Sequence, residues 1–453
     1  MVAVVESAAR ALPLVRGDDG GRVFAWHGAR AITVSEFLAD VARAAAALPA
    51  ARDAINLCED RYAFLVAFCA VISRGQTNLL PPSRAPQAIE ETLAAYPGAY
   101  VLCECVGEVA GARCVVLPPL GGERHQGATP AIAADHLAAI GFTSGSTGQP
   151  KPNRKTWGSF AASTAHNVAA LQCALGIDVQ TVAHIVATVP PQHMYGIELS
   201  ILMPLLGPFA VHGARPLFPA DIAAALADVP APRILVTTPV HLRALLRDPV
   251  ALPPLAAITS ATAPLPGELA AEAERRYGAP VLELFGSTET CVIAQRRTAT
   301  ETDWQLYADI QLRPQPDGTL VDAPYFAQPT VLQDVVELLP GHRFRLCGRH
   351  ADLVEIAGKR ASLADLTRRL LDLPGVHDAV VVQIDEPDAF GVRRIAALVV
   401  APERCEAELL AGLRQAIDPA FLPRPLRKVD ALPRNETGKL PRAALLALLG
   451  IGR

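Results

Sequence analysis

The sequence lacks a strong excess of charge of either sign. Its 453 residues carry 41 lysines and arginines against 45 aspartates and glutamates, which gives a formal net charge of -4. A field that recruits nucleic acid or an anionic membrane surface needs a clear basic excess. We therefore expect neither nucleic acid nor a membrane as a partner.

Long apolar runs and a leader sequence are missing as well. No uninterrupted apolar stretch reaches the roughly 18 residues that indicate a membrane-spanning helix. The first residues, Met1–Arg10, lack the basic start, apolar core and small-residue cleavage site of a secretory signal. The sequence thus predicts a cytoplasmic protein.

Cysteines are few and scattered, with nine over the whole length. This usage is typical of reduced thiols in a large intracellular protein rather than of a disulfide scaffold. The spacing of Cys103, Cys105 and Cys114 fits no common zinc pattern. Because Cys103 and Cys105 alternate in a valine-bearing run, we expect them to pack in a strand.

The remaining sequence predicts an α/β protein of more than one domain. Its length exceeds what one ordinary core fills, and no repeat of about 20 to 50 residues recurs. Residues 34–49 carry apolar side chains at helical spacing, with Ser35 suited to an N-cap. Short apolar runs such as Tyr100–Cys103 and Arg233–Thr238 alternate with alanine-rich stretches, which indicates parallel strands joined by helices. The N-terminal part should therefore consist of layered sheets and helices.

The pattern changes near Gly348, after which a smaller α+β domain is predicted. We expect an N-terminal domain over residues 1–348 and a C-terminal domain over 349–453. The predicted elements of the second domain are a helix over 363–373, strands over 379–383 and 394–400, and a helix over 406–417.

Thr143–Lys151 has the composition of an anion-binding loop. Its sequence, Thr-Ser-Gly-Ser-Thr-Gly-Gln-Pro-Lys, follows the apolar stretch Leu137–Phe142. Glycine permits close backbone approach, and amide and hydroxyl groups can surround an anionic oxygen. A P-loop needs its lysine directly after the last glycine, whereas Gln149 and Pro150 intervene here. Taken alone, the segment could equally be a flexible surface loop.

Three further segments follow it in order along the chain. They are Leu284–Thr290 (Leu-Phe-Gly-Ser-Thr-Glu-Thr), Gly348–Arg360, and Leu432–Arg442, which contains Lys439. Together the four segments resemble the adenylate-forming superfamily, which includes acyl-CoA synthetases, aryl-CoA ligases, luciferases and peptide-synthetase adenylation domains. Four such segments in order are much harder to obtain by chance than any one of them.

The resemblance implies an ATP site with magnesium. Phe285 would pack by the adenine beside Gly286, and Thr288 would bond the α-phosphate. Glu289 would hold Mg²⁺, which is sensible because a hard cation favours carboxylate and phosphate oxygens. Pro152 stands where the family has glycine. The residues that would bind the pyrophosphate end of ATP are Thr143, Ser144, Gly145, Ser146, Thr147, Gly148 and Lys151.

Further nucleotide and acceptor roles are implied around the third segment. Asp334 and Arg349, fifteen positions apart as in the family, would bind the ribose, although a lone aspartate is usually a turn former or helix cap. Arg360 would contact phosphate, and Gly358 would border the tunnel for a pantetheine arm. Ala351 replaces the family's hinge aspartate, which leaves the centre of the domain rotation open.

Lys439 corresponds to the catalytic lysine that the family carries on a mobile C-terminal domain. Negative charge concentrates on phosphate oxygens when a carboxylate attacks the α-phosphate, and an ammonium stabilises that state more than the ground state. The resemblance implies an acid–thiol ligase that forms an acyl-adenylate and then a thioester with coenzyme A or phosphopantetheine.

Two segments, Pro190–Gly196 and Ser260–Leu265, resemble those that line the family's acid pocket. His193 would lie near the substrate carboxylate as a catalytic residue, unless it is an ordinary core histidine. Residues bulkier than glycine in the second segment should shorten the cavity, which favours an aryl acid such as hydroxybenzoate, or a short acid, over a longer fatty acid. The predicted pocket residues are His193, Tyr195, Gly196, Ser260, Ala261 and Thr262.

The chain also resembles compact ligases of aryl-polyene pigment pathways, which load acyl carrier proteins. Arg424, Arg427 and Lys428 form a basic cluster that could meet an acidic carrier, contact coenzyme A, or simply face solvent. Two alternatives to the ligase remain open at this point. One is a catalytically silent acid- or adenylate-binding protein, and the other is a ligase that transfers the acyl group to an amine.

Overall fold

A computed structural model describes the chain with short gaps and divides it into two compact units. The first unit comprises Met1–Ala261 with Gly267–Thr300, and the second comprises Thr262–Pro266 with Glu301–Arg453. The predicted division into an N-terminal domain over residues 1–348 and a C-terminal domain over 349–453 stays a prediction. The described residues are 10–81, 84–105, 114–144, 150–176, 178, 180–315, 318–349, 353–356, 359–387, 393–435 and 438–450.

The first unit is built from layered strands and helices. Its strands are β1 (Ala11–Pro13), β2 (Val23–His27), β3 (Arg30–Thr33), β4 (Asp53–Asn56), β5 (Thr77–Leu80), β6 (Tyr100–Cys103), β7 (Cys114–Val116), β8 (Ala131–Ala133), β9 (Leu137–Ser144), β10 (Pro150–Thr156), β11 (Ala183–Ala187), β12 (Phe209–His212), β13 (Arg233–Thr237), β14 (Ala257–Ser260), β15 (Val281–Ser287) and β16 (Cys291–Arg296). Its helices are α1 (Val34–Ala47), α2 (Arg61–Ser73), α3 (Pro86–Ala95), α4 (Trp157–Leu175), α5 (Met194–Gly196), a π-helical segment (Ile197–Leu202), α6 (Met203–Leu206), α7 (Pro219–Asp228), α8 (Pro239–Arg247) and α9 (Gly267–Tyr277).

Two mainly parallel sheets organise this unit. One sheet has the order β10-β9-β5-β4-β6-β7, and in the other the strands of this unit follow the order β16-β15-β14-β13-β11-β12-β2-β3. Parallel pairs form their centres, and the antiparallel pairs β9·β10, β15·β16 and β2·β3 lie toward their edges. The runs predicted as strands at Tyr100–Cys103 and Arg233–Thr238 form β6 and β13, which are mostly buried and paired in parallel, and this confirms the α/β prediction.

Two local predictions need correction. Helix α1 begins after Thr33 rather than Ser35, because the Thr33 hydroxyl accepts from the Glu36 amide while the Glu36 carboxylate accepts from the Thr33 amide in a capping box. Strand β6 ends at Cys103, which is fully buried, so Cys105 lies beyond the strand and is exposed. The valine pattern alone did not mark where β6 stops.

The second unit is α+β, as predicted. Its strands are β17 (Trp304–Leu306), β18 (Gln311–Gln315), β19 (Gly318–Asp322), β20 (Thr330–Leu332), β21 (Asp334–Leu339), β22 (Arg343–Arg349), β23 (Leu353–Ile356), β24 (Lys359–Ser362), β25 (Asp378–Pro387), β26 (Arg393–Val400) and β27 (Leu426–Lys428). Its helices are α10 (Leu363–Leu371), α11 (Glu406–Ala416), a 3-10 turn (Pro419–Phe421) and α12 (Arg442–Leu449).

The core of the second unit lies between its helices and the sheet β25-β26-β27. Leu366 and Leu370 of α10 pack with Val381 of β25, Ala397 of β26 and Leu409 of α11. The elements predicted for the C-terminal domain are therefore confirmed within one or two residues, apart from the longer β25. Among the described residues of both units, no helix has the length and apolar character needed to cross a bilayer. The cytoplasmic location stays a prediction.

Candidate active site

The first motif, Thr143–Lys151, begins at the end of β9 and ends at the start of β10, its antiparallel neighbour. Thr143 is the register partner of Lys151, and Ser144 is the partner of Pro150. Strand β9 also pairs in parallel with β5, so the motif begins at the carboxyl end of a sheet strand, a common place for ligand sites in α/β sheets. Lys151 is exposed. Gly145, Ser146, Thr147 and Gly148 lie outside the described residues.

The second motif forms the tight turn between β15 and β16. The Ser287 hydroxyl accepts from the amides of Glu289 and Thr290, at 3.1 and 3.2 Å. Gly286 lies at a β-bulge, where an added Cβ would be 2.2 Å from the carbonyl oxygen of Cys291. Only glycine fits so close an approach. The turn therefore presents Thr288 and Glu289, both half-buried, on a fixed backbone.

The structure brings these two motifs together within the first unit. A Cβ placed on Gly141, two residues before the first motif, would lie 3.0 Å from the methyl carbon of Thr288. On the other strand of the hairpin, the Lys155 ammonium donates to the Glu289 carbonyl oxygen at 2.6 Å. Each strand of the hairpin thus contacts the turn that carries the second motif.

Two buried charges beside this turn were missed by sequence reasoning. Lys155 ends the polar run Lys151–Lys155, in which nothing marks one residue as buried, yet it is 6% exposed. Glu198 is 1% exposed and accepts from the Val292 amide just beyond the turn. A visible signal for Glu198 was its position as a lone carboxylate in the apolar run Ile197–Leu202.

The first acid-pocket segment leads into the π-helical stretch. His193 is the half-buried residue before α5, and its carbonyl accepts from the Ile197 amide at 2.7 Å. The hydroxyl of Tyr195 lies 2.9 Å from that of Thr259, and burial raises the pKa of this phenol. Gly196 has a packing role of its own, because a Cβ there would lie 2.0 Å from the Pro190 carbonyl oxygen.

A buried arginine supports the chain just before this segment. Arg61 is fully buried, and its guanidinium donates to the carbonyls of Ala187 and Val189 at 2.9 and 2.7 Å. Burial lowers the pKa of Arg61 to about 9. Its bonds satisfy two carbonyls at the carboxyl end of β11, so Arg61 fixes the backbone that enters the predicted pocket.

The second acid-pocket segment starts at the end of β14 and has a strained backbone. Ser260 is fully buried, and Ala261 is nearly so. Thr262, which belongs to the second unit, has φ of +78°. This left-handed conformation is unfavourable for a β-branched residue and natural for glycine. Thr262 therefore adopts a backbone conformation suited to glycine while carrying a larger side chain.

The two residues predicted to bind the ribose are adjacent in the second unit. Asp334 and Arg349 are register partners on the antiparallel strands β21 and β22. Directly opposite residues of such a ladder have Cα atoms roughly 5 Å apart. The backbone of Asp334 is held further by the Thr319 hydroxyl, which donates to its carbonyl at 2.6 Å. A joint role at one ligand is compatible with this spacing.

Lys439 lies in a closed loop of the second unit. Its amide donates to the Asn435 side-chain oxygen, and its carbonyl accepts from the Asn435 amide, both at 2.8 Å. Arg434 donates to the Gly438 carbonyl at 2.8 Å, while Lys439 itself is exposed. These bonds hold the backbone of Asn435, Gly438 and Lys439, and the side chain predicted to act is exposed.

The third motif is only partly described. Arg360 lies on β24, opposite Glu355 of β23. Gly358 and Ala351 lie outside the described residues, so their predicted roles stay predictions.

The donor set fits a nucleotide with magnesium. Among the residues that the structure describes, no group of three or more histidine, cysteine or acidic side chains could hold a metal by itself. A single carboxylate such as Glu289, next to a hairpin rich in hydroxyls, is the arrangement expected when phosphate oxygens complete the metal's ligands.

Comparison with known protein families decides the assignment. The pattern of the family described as AMP-binding enzyme matches residues 16–319. The chain belongs to this family. The pattern described as AMP-binding enzyme C-terminal domain matches residues 368–439, which confirms the two-part resemblance and ends at Lys439.

Individual relatives agree with this AMP-binding enzyme assignment. A 4-coumarate–CoA ligase from Halorhodospira halophila is 30% identical, over 68% of this chain and 77% of the relative. A sulfoacetate–CoA ligase from Cupriavidus necator is 28% identical, over 69% of this chain and 67% of the relative. The predicted enzyme class, an AMP-forming acid–thiol ligase that uses ATP and Mg²⁺, is thereby confirmed.

Solved structures share the fold over nearly the full chain. The ATP-bound MatB from Rhodopseudomonas palustris has a TM-score of 0.80 at 21% identity, covering 96% of this chain and 97% of its own. The o-succinylbenzoate CoA synthetase from Bacillus subtilis, solved with its acyl-adenylate, has a TM-score of 0.78 at 19% identity, covering 94% and 96%. The predicted fold class is confirmed.

Proposed function

We propose that this AMP-binding enzyme activates an aryl or otherwise short carboxylic acid as its acyl-adenylate and passes the acyl group to a phosphopantetheine thiol. The observation that carries the proposal is the contact between the hydroxyl-rich hairpin and the turn of Thr288 and Glu289. Through Lys155 and Gly141, it brings the hairpin that carries the predicted phosphate-binding groups against the turn that carries the predicted magnesium ligand.

The size of the acid is inferred from the second pocket segment. Thr262 keeps a side chain at φ of +78°, where glycine would be unstrained. Strain of this kind costs of order 1–3 kcal/mol and persists where the surroundings or the function require it. Two relatives or neighbours are named for aryl acids, 4-coumarate and o-succinylbenzoate, and another for the short acid sulfoacetate. A longer fatty acid is the disfavoured alternative.

Each chain residue has a defined task in the first half-reaction. The 143–151 hairpin binds the leaving pyrophosphate, and Thr288 bonds the α-phosphate. Asp334 and Arg349 hold the ribose. Glu289 would hold Mg²⁺, which when bound would neutralise charge on the phosphates. Lys439 stabilises the charge that develops when the acid carboxylate, held near His193, attacks the α-phosphate.

The second half-reaction needs a path for the thiol. We place this path at Gly358, with the domain after residue 348 rotating between the two half-reactions, as closure of this kind completes a site and excludes water. Coenzyme A is the simplest acceptor, since curated relatives are named as CoA ligases.

An acyl carrier protein is the second acceptor that we propose. Arg424, Arg427 and Lys428 are exposed around β27, which suits contact with an acidic partner. Glu406 lies beside this cluster, since its carboxylate accepts from the Lys428 amide at 3.2 Å. The net field of the cluster is therefore weaker than three cations suggest.

Acid-dependent exchange of labelled pyrophosphate into ATP tests the adenylation step. A panel of benzoic, cinnamic, short and long aliphatic acids should show highest activity with aryl or short acids. Absence of exchange with every acid, in a folded protein that binds ATP, would favour a silent binding protein. Highest activity with long acids would reject the size proposal.

The acceptor is tested with the best acid of that panel. Coenzyme A and a purified phosphopantetheinylated carrier protein are compared by thioester yield, before and after charge reversal of Arg427 to Glu. If Arg427→Glu lowers the thioester yield with the carrier protein but not with coenzyme A, the carrier protein is the acceptor. Gly358→Leu should retain pyrophosphate exchange and lose thioester formation, and unchanged thioester output would reject the tunnel.

A further inference from the structure

A buried ammonium and a buried carboxylate hold the backbone at Glu289 and just after it. Lys155 of β10 donates from Nζ to the Glu289 carbonyl oxygen at 2.6 Å. Glu198, in the π-helical segment, accepts from the Val292 amide through both oxygens, at 2.9 and 3.1 Å. The carbonyl of Glu289 and the amide three residues later are thus each bonded to a buried charged side chain.

Glu198 is itself fixed by the helix beneath it. Its Oε1 accepts from the Ser163 hydroxyl at 2.6 Å and from the Asn167 amide at 3.2 Å, both on α4. Burial raises the pKa of Glu198, and its hydrogen bonds and the charge of Lys155 oppose that rise. Buried charges are unfavourable unless they are paired and hydrogen-bonded. Two buried charged side chains in this place are better explained by what they orient than by stability.

The position of Lys155 connects two motifs. It lies four residues after Lys151 on the strand that leaves the phosphate-binding turn, and its ammonium ends on the backbone of the magnesium residue. Gly141, on the partner strand, approaches the Thr288 methyl group. The hairpin and the turn are therefore fixed to each other at two points, one polar and one apolar.

We infer that Lys155 and Glu198 are positioning residues that orient the Glu289 carboxylate for magnesium. The Glu289 carbonyl belongs to the peptide group bonded to the Glu289 Cα. Holding that carbonyl therefore restricts the direction in which the side chain leaves the Cα. Groups that orient a metal-binding residue typically change metal affinity by about 10- to 100-fold. The inference rests on the proposed function in one respect, which is that Glu289 is the magnesium ligand.

Calorimetric titration of the full-length chain with ATP, in the presence and absence of Mg²⁺, tests this inference without turnover. In Lys155→Met, ATP affinity without the metal should stay within about twofold of wild type, while the gain from Mg²⁺ should fall about tenfold. Glu198→Gln should show a loss in the same direction. Lys155→Arg should keep most of the gain because it retains a cationic donor, and Arg414→Met, at an exposed arginine of α11, is the matched control.

The double variant Lys155→Met with Glu198→Gln guards against misfolding. It removes both buried charges of this site together, so it should fold and still lose the magnesium gain. The inference would be overturned if folded Lys155→Met or the folded double variant gained as much ATP affinity from Mg²⁺ as wild type does. An equal loss of ATP affinity with and without the metal would overturn it as well. A wild-type chain that binds Mg·ATP but shows no acid-dependent exchange would count against the proposed function alone.

Discussion

Arg434 and Asp378 form a two-point ion pair in the second unit. The guanidinium donates from Nε and Nη2 to the two carboxylate oxygens at 3.0 and 2.8 Å, and its other nitrogen bonds the Gly438 carbonyl. This arrangement ties the loop of Lys439 to the start of β25. Bidentate pairs of this kind fix geometry as well as charge.

The first prediction concerns Lys439 and this anchor. Lys439→Ala should lower adenylation by about 10² to 10³, the usual effect of removing one charge-stabilising group. Arg434→Met should lower it less, by about tenfold, because the ammonium remains but its loop is no longer held. Pyrophosphate exchange measures both. Arg414→Ala, at an exposed arginine of α11, is the control, and equal activity of Arg434→Met and wild type would contradict the anchor.

The second prediction concerns the turn at Gly286. Gly286→Ala should abolish adenylation and lower the melting temperature, because its Cβ would meet the Cys291 carbonyl oxygen at 2.2 Å and force the strand pair apart. Gly267→Ala is a matched control, since its Cβ would have an ordinary contact of 3.6 Å at the start of α9. Thermal unfolding and pyrophosphate exchange measure the two effects. A fully active Gly286→Ala would show that the bulge can relax.

The third prediction is a pH dependence of stability through His184. Its Nδ1 accepts from the Trp26 indole at 3.0 Å, and burial lowers its pKa to about 4 from an ordinary 6.5. The unfolded chain therefore binds this proton first, and stability should fall as the pH drops from 6.5 toward 4. The full pKa shift corresponds to a loss of roughly 3 kcal/mol in the free energy of unfolding.

Comparison with His184→Gln isolates this contribution. His212 and His241 also have lowered pKa values, but they are present in both proteins and cancel in the difference. The free energy of unfolding, from urea titrations between pH 4 and 7, should fall more steeply with acid in wild type. Parallel curves for the two proteins would show that His184 does not carry the dependence.

The sequence predicted elements and motif order better than side-chain surroundings. The alternating runs located β6 and β13, and the spacing of Asp334 and Arg349 anticipated residues that prove to be opposite on one ladder. The pairing of β9 with β10 around the first motif was not predictable, because a segment rich in glycine, serine and threonine can connect any two elements. The burial of Lys155 was not predictable either, since it depends on a turn more than 130 residues away.

The fourth prediction concerns Thr262 and the length of the acid. Thr262→Gly should relieve the strain at φ of +78°, worth about 1–2 kcal/mol, while glycine's greater unfolded-state freedom offsets roughly half of it. Stability should therefore rise slightly or stay level. The same change should open the pocket, so that pyrophosphate exchange with longer acids rises relative to short ones.

Thr262→Ala separates strain from size at this position. Alanine retains a Cβ and therefore most of the left-handed cost, yet it removes the hydroxyl and methyl groups that would narrow the cavity. If side-chain size limits the acid, both variants should shift the preference toward longer acids, glycine more than alanine, while only glycine gains stability. An unchanged chain-length profile in both would mean that another residue closes the pocket, since neither backbone relaxation nor lost volume at 262 would have reached the substrate.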